Sequence, residues 1–487
     1  MAAITKLIVP NRGEIAVRIA RACREMRIES VLAYSESDDH SYAGRFFDAA
    51  VPIASYLDVN AVIDTARKSG AAALHPGYGF LSESAELAAA CEDAGIIFVG
   101  PKSSSIAAMG SKSHARHLMH RLGVPVVPGY DGDDQSDATL SREAERLGFP
   151  LLVKVASGGG GKGMKIIRQQ GEFQAAIESA RREAMKAFGN DRLLLERYIE
   201  DTRHIEFQIF GDASGEVIHL FERDCSIQRR YQKIVEESPA PRYTDKLRQK
   251  MAKAAVAAAE GVQYRNAGTV EFLVTPEGDF YFLEMNTRLQ VEVPVTELVV
   301  GVDLVRAQIE VAAGASLPWK QKDLRQRGQA IEVRVYAEDP DDRFLPQSGT
   351  IAVYEEPGGP GVRVDAGVTQ GSEISVKFDP MLAKLICHAD SRDACIDRLD
   401  HAIRDYTILG TKTNLGFLRR VVTHPAFREG KVSTRFLIDH PDSLRAEIPD
   451  AVPLIAAALA SNPRRQPTTD NRQLSSVWES LGDWGRR

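Results

Sequence analysis

Apolar positions in the first hundred residues switch between two periods. Short apolar runs at residues 4–9, 30–34 and 71–74 predict buried strands, and the stretches between them follow a helical period. A helix over 13–26 sets Ile15, Ile19, Cys23 and Met26 on one stripe, and another is expected over 59–68. Strand, helix, strand in this order predicts a parallel sheet. The turn Pro10, Asn11, Arg12, Gly13 carries one glycine where a dinucleotide cradle needs three. A Rossmann-like unit that binds no NAD is therefore expected.

Pro125, Pro128, Gly129 and the acidic stretch 131–137 read as a linker into a second unit. Beyond it the periods predict strands at 151–155 and 164–167 flanking a glycine run, then a helix over 172–186. Strands at 193–196, 205–210 and 217–221, a helix over 246–262 and a hairpin over 269–292 follow. Near Gly328 a strand-rich unit begins and runs to about Cys387, closed by helices over 392–405 and 415–424. The polar segment 461–487 reads as a linker or tail.

Composition narrows the function classes. A chain of 487 residues suggests about three domains, and 44% hydrophobic with 26% charged residues is ordinary for a globular enzyme. A net charge of -6 argues against nucleic acid or anionic lipid as a whole-chain partner. The longest apolar stretch, 452–460, is too short for a membrane span, and the first residues lack the features of a secretion signal. A cytoplasmic location is expected. The five cysteines show no C-x-x-C spacing and read as reduced packing residues.

The glycine run 157–163, Ser-Gly-Gly-Gly-Gly-Lys-Gly, frees backbone N–H groups to approach an anion. It is not a P-loop, because no Ser or Thr follows a Gly-Lys pair, and it reads either as a flap over a nucleotide or as a surface loop. Lys154 lies inside an apolar strand, where an amine needs an anionic partner unless it snorkels from an edge. Lys112 opens a helix and is weaker evidence. In the hairpin, a four-residue loop at 276–279 pairs Thr275 with Phe280 and sets Glu271 opposite Glu284, with Cβ atoms about 5 Å apart. Facing carboxylates call for a cation or a proton, and magnesium suits them, with Asn286 offering a carbonyl oxygen. On the same continued strand Arg288, Gln290 and Glu292 project to that side. They form either an oxyanion pocket with a base or a plain ion pair.

These motifs, with 11–16, 75–83, 222–230, 284–292 and 378–385, resemble the biotin carboxylases, which are ATP-grasp enzymes, from about Lys6 to His440. The resemblance implies an α/β fold of three parts. They are a Rossmann-like domain over 1–110, an ATP-grasp domain over 111–327 with a glycine-rich lid at about 130–200, and a mixed α+β domain over 328–445, followed by a tail over 446–487. It implies that ATP and bicarbonate give carboxyphosphate, and that the carboxyl group passes to biotin on a carrier protein. By the same resemblance Lys112, Lys154, Gly159, Gly160, Gly161, Met164, Glu196, Ile199, His204, Gln228 and Tyr231 would contact ATP. Glu271, Glu284 and Asn286 would hold Mg2+ or Mn2+. Lys233, Arg288, Gln290, Val291 and Glu292 would bind bicarbonate with Glu292 as base, Arg334 would stabilise the biotin enolate, and Tyr78 would lie near biotin.

Two positions depart from the family pattern. Tyr231 stands where His or Asn is usual, and Val293 where His is common, which puts ribose contacts and the catalytic strand in doubt. Because the base and metal positions remain, activity is expected. No Met-Lys-Met biotinylation site occurs, so a carrier protein or domain and a carboxyltransferase are the expected partners, and a homodimer or larger complex is open. The competing functions are another ATP-grasp carboxylate-amine ligase and a nucleotide-binding subunit without turnover.

Overall fold

The computed structural model describes residues 4–155 and 164–446. Its first sheet has five parallel strands in the order Ala49–Ile53, Glu29–Ser35, Lys6–Val9, Ala73–Leu74, Ile97–Phe98. The chain starts in the middle and winds outward both ways, as a doubly wound sheet does. The helix Gly13–Glu25 buries Ile15, Ile19 and Cys23 against it, as the stripe predicts.

A larger sheet of eight strands forms the floor of the molecule. Its order is Phe280–Asn286, Asn266–Val274, Arg203–Gly211, Val217–Arg229, Gln232–Ser238, Gln329–Tyr336, Met381–Ala389, Val362–Ala366, all antiparallel. Residues on both sides of Gly328 therefore share one sheet. A four-stranded sheet, Gly129–Tyr130, Leu193–Arg197, Leu151–Val155, Lys165–Ile167, stands apart from it. All five cysteines are unpaired and buried. Among the described residues no helix is long and apolar enough to cross a membrane.

Three sequence expectations change. The stretch 131–137 is no linker: Gly129–Tyr130 pairs with Leu195 and Glu196, and Ser136 caps the helix Asp137–Leu147 by accepting from Thr139 N. The hairpin turn is one residue longer than expected, pairing Val274 with Phe280, and a bulge at Leu283 then restores Glu271 opposite Glu284. The last strand stops at Asn286 instead of running to Glu292. Residues 287–292 form a turn that enters the helix Val293–Val300. The glycine run, with Gly159, Gly160 and Gly161, and the tail 447–487 lie outside the described residues.

Candidate active site

Register lines up four charged residues across neighbouring strands of the large sheet. Arg223 opposes Glu206, Glu206 opposes Glu271, and Glu271 opposes Glu284. Three carboxylates in a row would repel strongly in a buried setting, so cations must lie among them. Lys233 Nζ donates to Glu206 Oε2 at 2.5 Å, to Glu271 Oε1 at 2.8 Å and to Glu292 Oε1 at 2.8 Å. Arg223, fully buried, donates from Nε to Glu206 Oε1 at 2.5 Å and from its other nitrogens to Gln208, Thr269 and Thr296. The groupings His204–Glu206–Glu271 and Glu206–Cys225–Glu292 have metal-like spacing, but the Lys233 ammonium already bonds all three of their carboxylates.

Glu271 is engaged on both oxygens. Besides Lys233 it accepts from Asn286 Nδ2 at 2.6 Å and meets His204 Nε2 at 2.6 Å. Burial alone would raise its pKa, but Lys233 and His204 hold it well below the usual carboxylate range. Burial alone would lower the His204 pKa, and Glu271 raises it instead. Gln228 Nε2 lies 2.7 Å from His204 Nδ1 and donates to Cys225 O, fixing the ring.

Glu284 differs: it has no hydrogen bond or ion pair among the described residues and its side chain is open to solvent in the cleft. Its pKa is raised by desolvation and then by Glu271. Since the carboxylate is solvent-accessible, the repulsion is the part that persists. An unpartnered carboxylate facing a second one fits a small hard cation. As placed, Asn286 turns its nitrogen to Glu271 and its oxygen to Arg288 Nη2 at 3.3 Å, instead of offering the expected carbonyl oxygen. The amide nitrogen is the end that a carboxylate attracts.

The turn after Asn286 folds Arg288 back over the site. Glu83 grips it, accepting from Arg288 Nε at 2.9 Å and from Thr287 N at 3.1 Å. Arg288 Nη1 donates to Gln290 Oε1 at 3.1 Å, while Gln290 Nε2 is buried with no acceptor among the described residues. Glu292, fully buried, lies between Lys233 and Arg334 Nη2, the latter at 3.1 Å; Arg334 Nε also donates to Glu236 Oε1 at 2.6 Å. Burial opposes its charge, yet Lys233, Arg334 and Arg223 hold the Glu292 pKa well below the usual carboxylate range. Hydrogen bonds thus join Gln228, His204, Glu271, Lys233, Glu292 and Arg334 in one chain, with Asn286, Arg288 and Gln290 as a branch.

On the smaller sheet Lys154 sits in a central strand, not at an edge. It ion-pairs with Glu196, which also meets Arg116 Nη1 at 3.3 Å. Lys112 is half-buried at the start of the helix Lys112–Arg121, its pKa lowered by desolvation and then by Lys154, against the pull of Glu284 and Glu196. Ile199 and Met164 are half-buried. The Tyr78 hydroxyl is buried without a partner among the described residues, and Asn11 Nδ2 holds its loop through Pro76 O at 2.7 Å and Tyr78 O at 2.8 Å.

The models of three protein families match the chain: the N-terminal domain of biotin carboxylase over residues 3–106, the ATP-binding domain of the carbamoyl-phosphate synthase L chain over 111–320, and the C-terminal domain of biotin carboxylase over 332–439. A biotin carboxylase of Halalkalibacterium halodurans is 46% identical over 444 residues, covering 89% of this chain and 97% of that protein. The chain belongs to the biotin carboxylase family. It is also 46% identical to the mitochondrial methylcrotonoyl-CoA carboxylase subunit alpha of Dictyostelium discoideum over 490 residues, covering 98% of this chain and 70% of that one. It spans only 62% of the length of the mouse counterpart. The biotin carboxylase domain dimer of the Hydrogenobacter thermophilus 2-oxoglutarate carboxylase, solved with MgADP, ADP and bicarbonate, superposes with a TM-score of 0.88. It is 44% identical, covering 91% of this chain and 99% of that one.

The two departures from the biotin carboxylase pattern have different settings. Val293 is buried in an apolar cluster with Leu289, Leu304 and Val305, so a polar residue there would displace packing. Tyr231 is exposed at a hairpin tip, where both it and Arg230 take positive φ. Glu206 and Glu236 are site residues outside every motif, and Glu83 closes the motif 75–83 without having been given a role. Register alone reveals Glu206, by counting back from Glu271 across one strand pair.

Proposed function

We propose that the chain is the biotin carboxylase component of a biotin-dependent carboxylase, using ATP and bicarbonate to carboxylate biotin on a carrier through carboxyphosphate. The observation that carries it is continuity. The opposed Glu271 and Glu284, suited to a magnesium- or manganese-nucleotide, connect through Lys233 and through Asn286 and Arg288 to a buried base between two cations.

Glu271 and Glu284 would hold the divalent cation, which would shield phosphate charge when bound. Lys112 and Lys154 meet the phosphates, a nucleotide oxygen replacing Glu196 on Lys154, while His204 and Gln228 line the same side. Arg288 and the free amide of Gln290 grip bicarbonate beside Lys233. The resting Glu292 is a weak base because two cations hold its charge. An anion that draws on Lys233 raises its basicity as substrate arrives, so Glu292 takes the bicarbonate proton while a bicarbonate oxygen attacks the terminal phosphorus, the bond to the β-phosphate breaks and ADP leaves with its electron pair. Arg334, fixed by Glu236, stabilises the enolate oxygen of biotin, with Tyr78 nearby.

The carrier and the carboxyltransferase are partners in this reading, supported by the subunit names of the relatives, and a homodimer is supported by the Hydrogenobacter structure. The division into domains over 1–110, 111–327 and 328–445 is supported by the family matches. The free buried thiols suit a reducing compartment such as the cytoplasm. Purified chain should release ADP only with bicarbonate present and accept free biotin. ATP hydrolysis indifferent to bicarbonate would exclude this function.

A further inference from the structure

Behind Glu292 lies a charged, buried sheet face. The strand Gln329–Tyr336 is buried along its whole length. Ile331, Val333 and Val335 enter the apolar core on one side, while Glu332 and Arg334 face the other. Lys384 pairs in register with Arg334 on one flank and with Asp365 on the other, so the three side chains share that face.

Lys384 is 1% exposed. Its Nζ donates to the Val291 carbonyl at 2.8 Å, lies 3.1 Å from Glu14 Oε1 and 3.8 Å from Asp365 Oδ2, and stands 5.8 Å from the Tyr78 ring centre. Neither Glu14 oxygen is at a hydrogen-bonding angle, so the Val291 carbonyl is the directed contact. Glu14 is fixed where Gly367 crosses the start of the first helix so closely that a Cβ there would come within 2.6 Å of Gly13 Cα and Glu14 N.

We infer that Lys384 is a positioning residue for the bicarbonate loop, its ammonium holding the Val291 carbonyl while its cross-strand neighbour Arg334 holds the next side chain, Glu292. Two cations at one register thus pin two consecutive residues of the turn that enters the helix Val293–Val300. Burial would strip the Lys384 proton, but Glu14, Glu332 and Asp365 outweigh it and keep the ammonium. Glu332 has both oxygens buried and unbonded, and burial raises its pKa well above the usual range.

The inference rests on reading Val291 and Glu292 as the bicarbonate loop, and steady-state ADP release separates the two ideas. In Lys384→Met the KM for bicarbonate should rise at least about tenfold, equivalent to about 1.4 kcal/mol, with the KM for ATP within about twofold. Lys384→Arg, which keeps a cation against Glu14 and Asp365, should show a smaller rise of the same kind. A bicarbonate KM unmoved in Lys384→Met, or equal losses for ATP and bicarbonate, would overturn the inference alone, the second by marking a general structural role. If Lys384→Met does not fold, Glu14→Gln tests the same split through the anchor; it should raise the bicarbonate KM about threefold and leave the ATP KM in place, and no rise overturns the inference. Wild-type hydrolysis indifferent to bicarbonate would overturn the functional reading and the inference together.

Discussion

Replacing Glu292 by Gln separates catalysis from stability, because the surrounding cations keep other partners. Lys233 retains Glu206 at 2.5 Å and Glu271 at 2.8 Å, and Arg334 retains Glu236 at 2.6 Å. No buried cation is orphaned, so the loss is that of weakened hydrogen bonds to charged groups, about 1.5–3 kcal/mol, rather than the larger penalty of an unpaired buried charge. Proton abstraction, by contrast, needs the carboxylate itself. Its removal should cost about 10²–10⁴-fold in bicarbonate-dependent turnover. Thermal melting with ADP release at saturating ATP would show a folded chain, a melting temperature lowered by a few degrees, and turnover near background. Since Lys233 and Arg334 keep Glu292 ionised, wild-type kcat/KM for bicarbonate should also show no acid limb from this group at any pH where the chain is folded. A Glu292→Gln enzyme turning over within about threefold of wild type would refute the assignment of the base.

Glu284→Gln should raise the half-saturating Mg2+ concentration at least about tenfold while leaving the melting temperature near wild type, since Glu284 has no partner to lose; a magnesium titration of ADP release checks this. Arg223→Met should abolish soluble expression or cost about 3–5 kcal/mol in urea unfolding, because it leaves Glu206 buried with one cation in place of two. Glu14 and Glu236 are pushed up to about 7, chiefly by burial. The folded state therefore keeps protons that the unfolded chain releases above 4.5. Their contribution is complete below that pH, is lost as pH rises toward 7 and is level above, so urea midpoints should fall across that window, less steeply in Glu14→Gln.

Periodicity revealed the parallel sheet of the first hundred residues because its helices are amphipathic and its strands plainly apolar. A strand-rich unit was expected from about Gly328, but periodicity does not reveal the setting of the strand Gln329–Tyr336, for a physical reason. Alternation of Ile and Val with Glu and Arg normally means one face in the core and one in water. Here both faces are buried: on the charged one Arg334 is met by Glu236 and Glu292, brought from far along the chain, and Glu332 lies among Arg334, Lys384 and Asp365 without a hydrogen bond among the described residues. Only the resemblance to a family pointed to Arg334, and it covered Lys384 within the stretch 378–385 without giving it a role. The linker reading of 131–137 failed similarly, since Ser136 caps a helix and Asp137 opens its first turn inside a folded unit.

The pairing of Glu271 with Glu284 was foreseen through two errors that cancel, and the cancellation is itself informative. The true turn adds one residue, which by parity would put Glu284 on the same face as Phe282, opposite Phe272 in the apolar cluster with Val270 and Met285. Burying an unpaired carboxylate there would be costly. The bulge at Leu283 shifts the strand by one position and turns Glu284 to the face of Glu271, while Met285 takes its place in the core against Val270. Phe282 before the bulge and Met285 after it both require the apolar face, and they are separated by three positions, an odd number that an unbroken strand cannot satisfy. The hydrophobic pattern therefore encodes the bulge, and the bulge aligns the carboxylates.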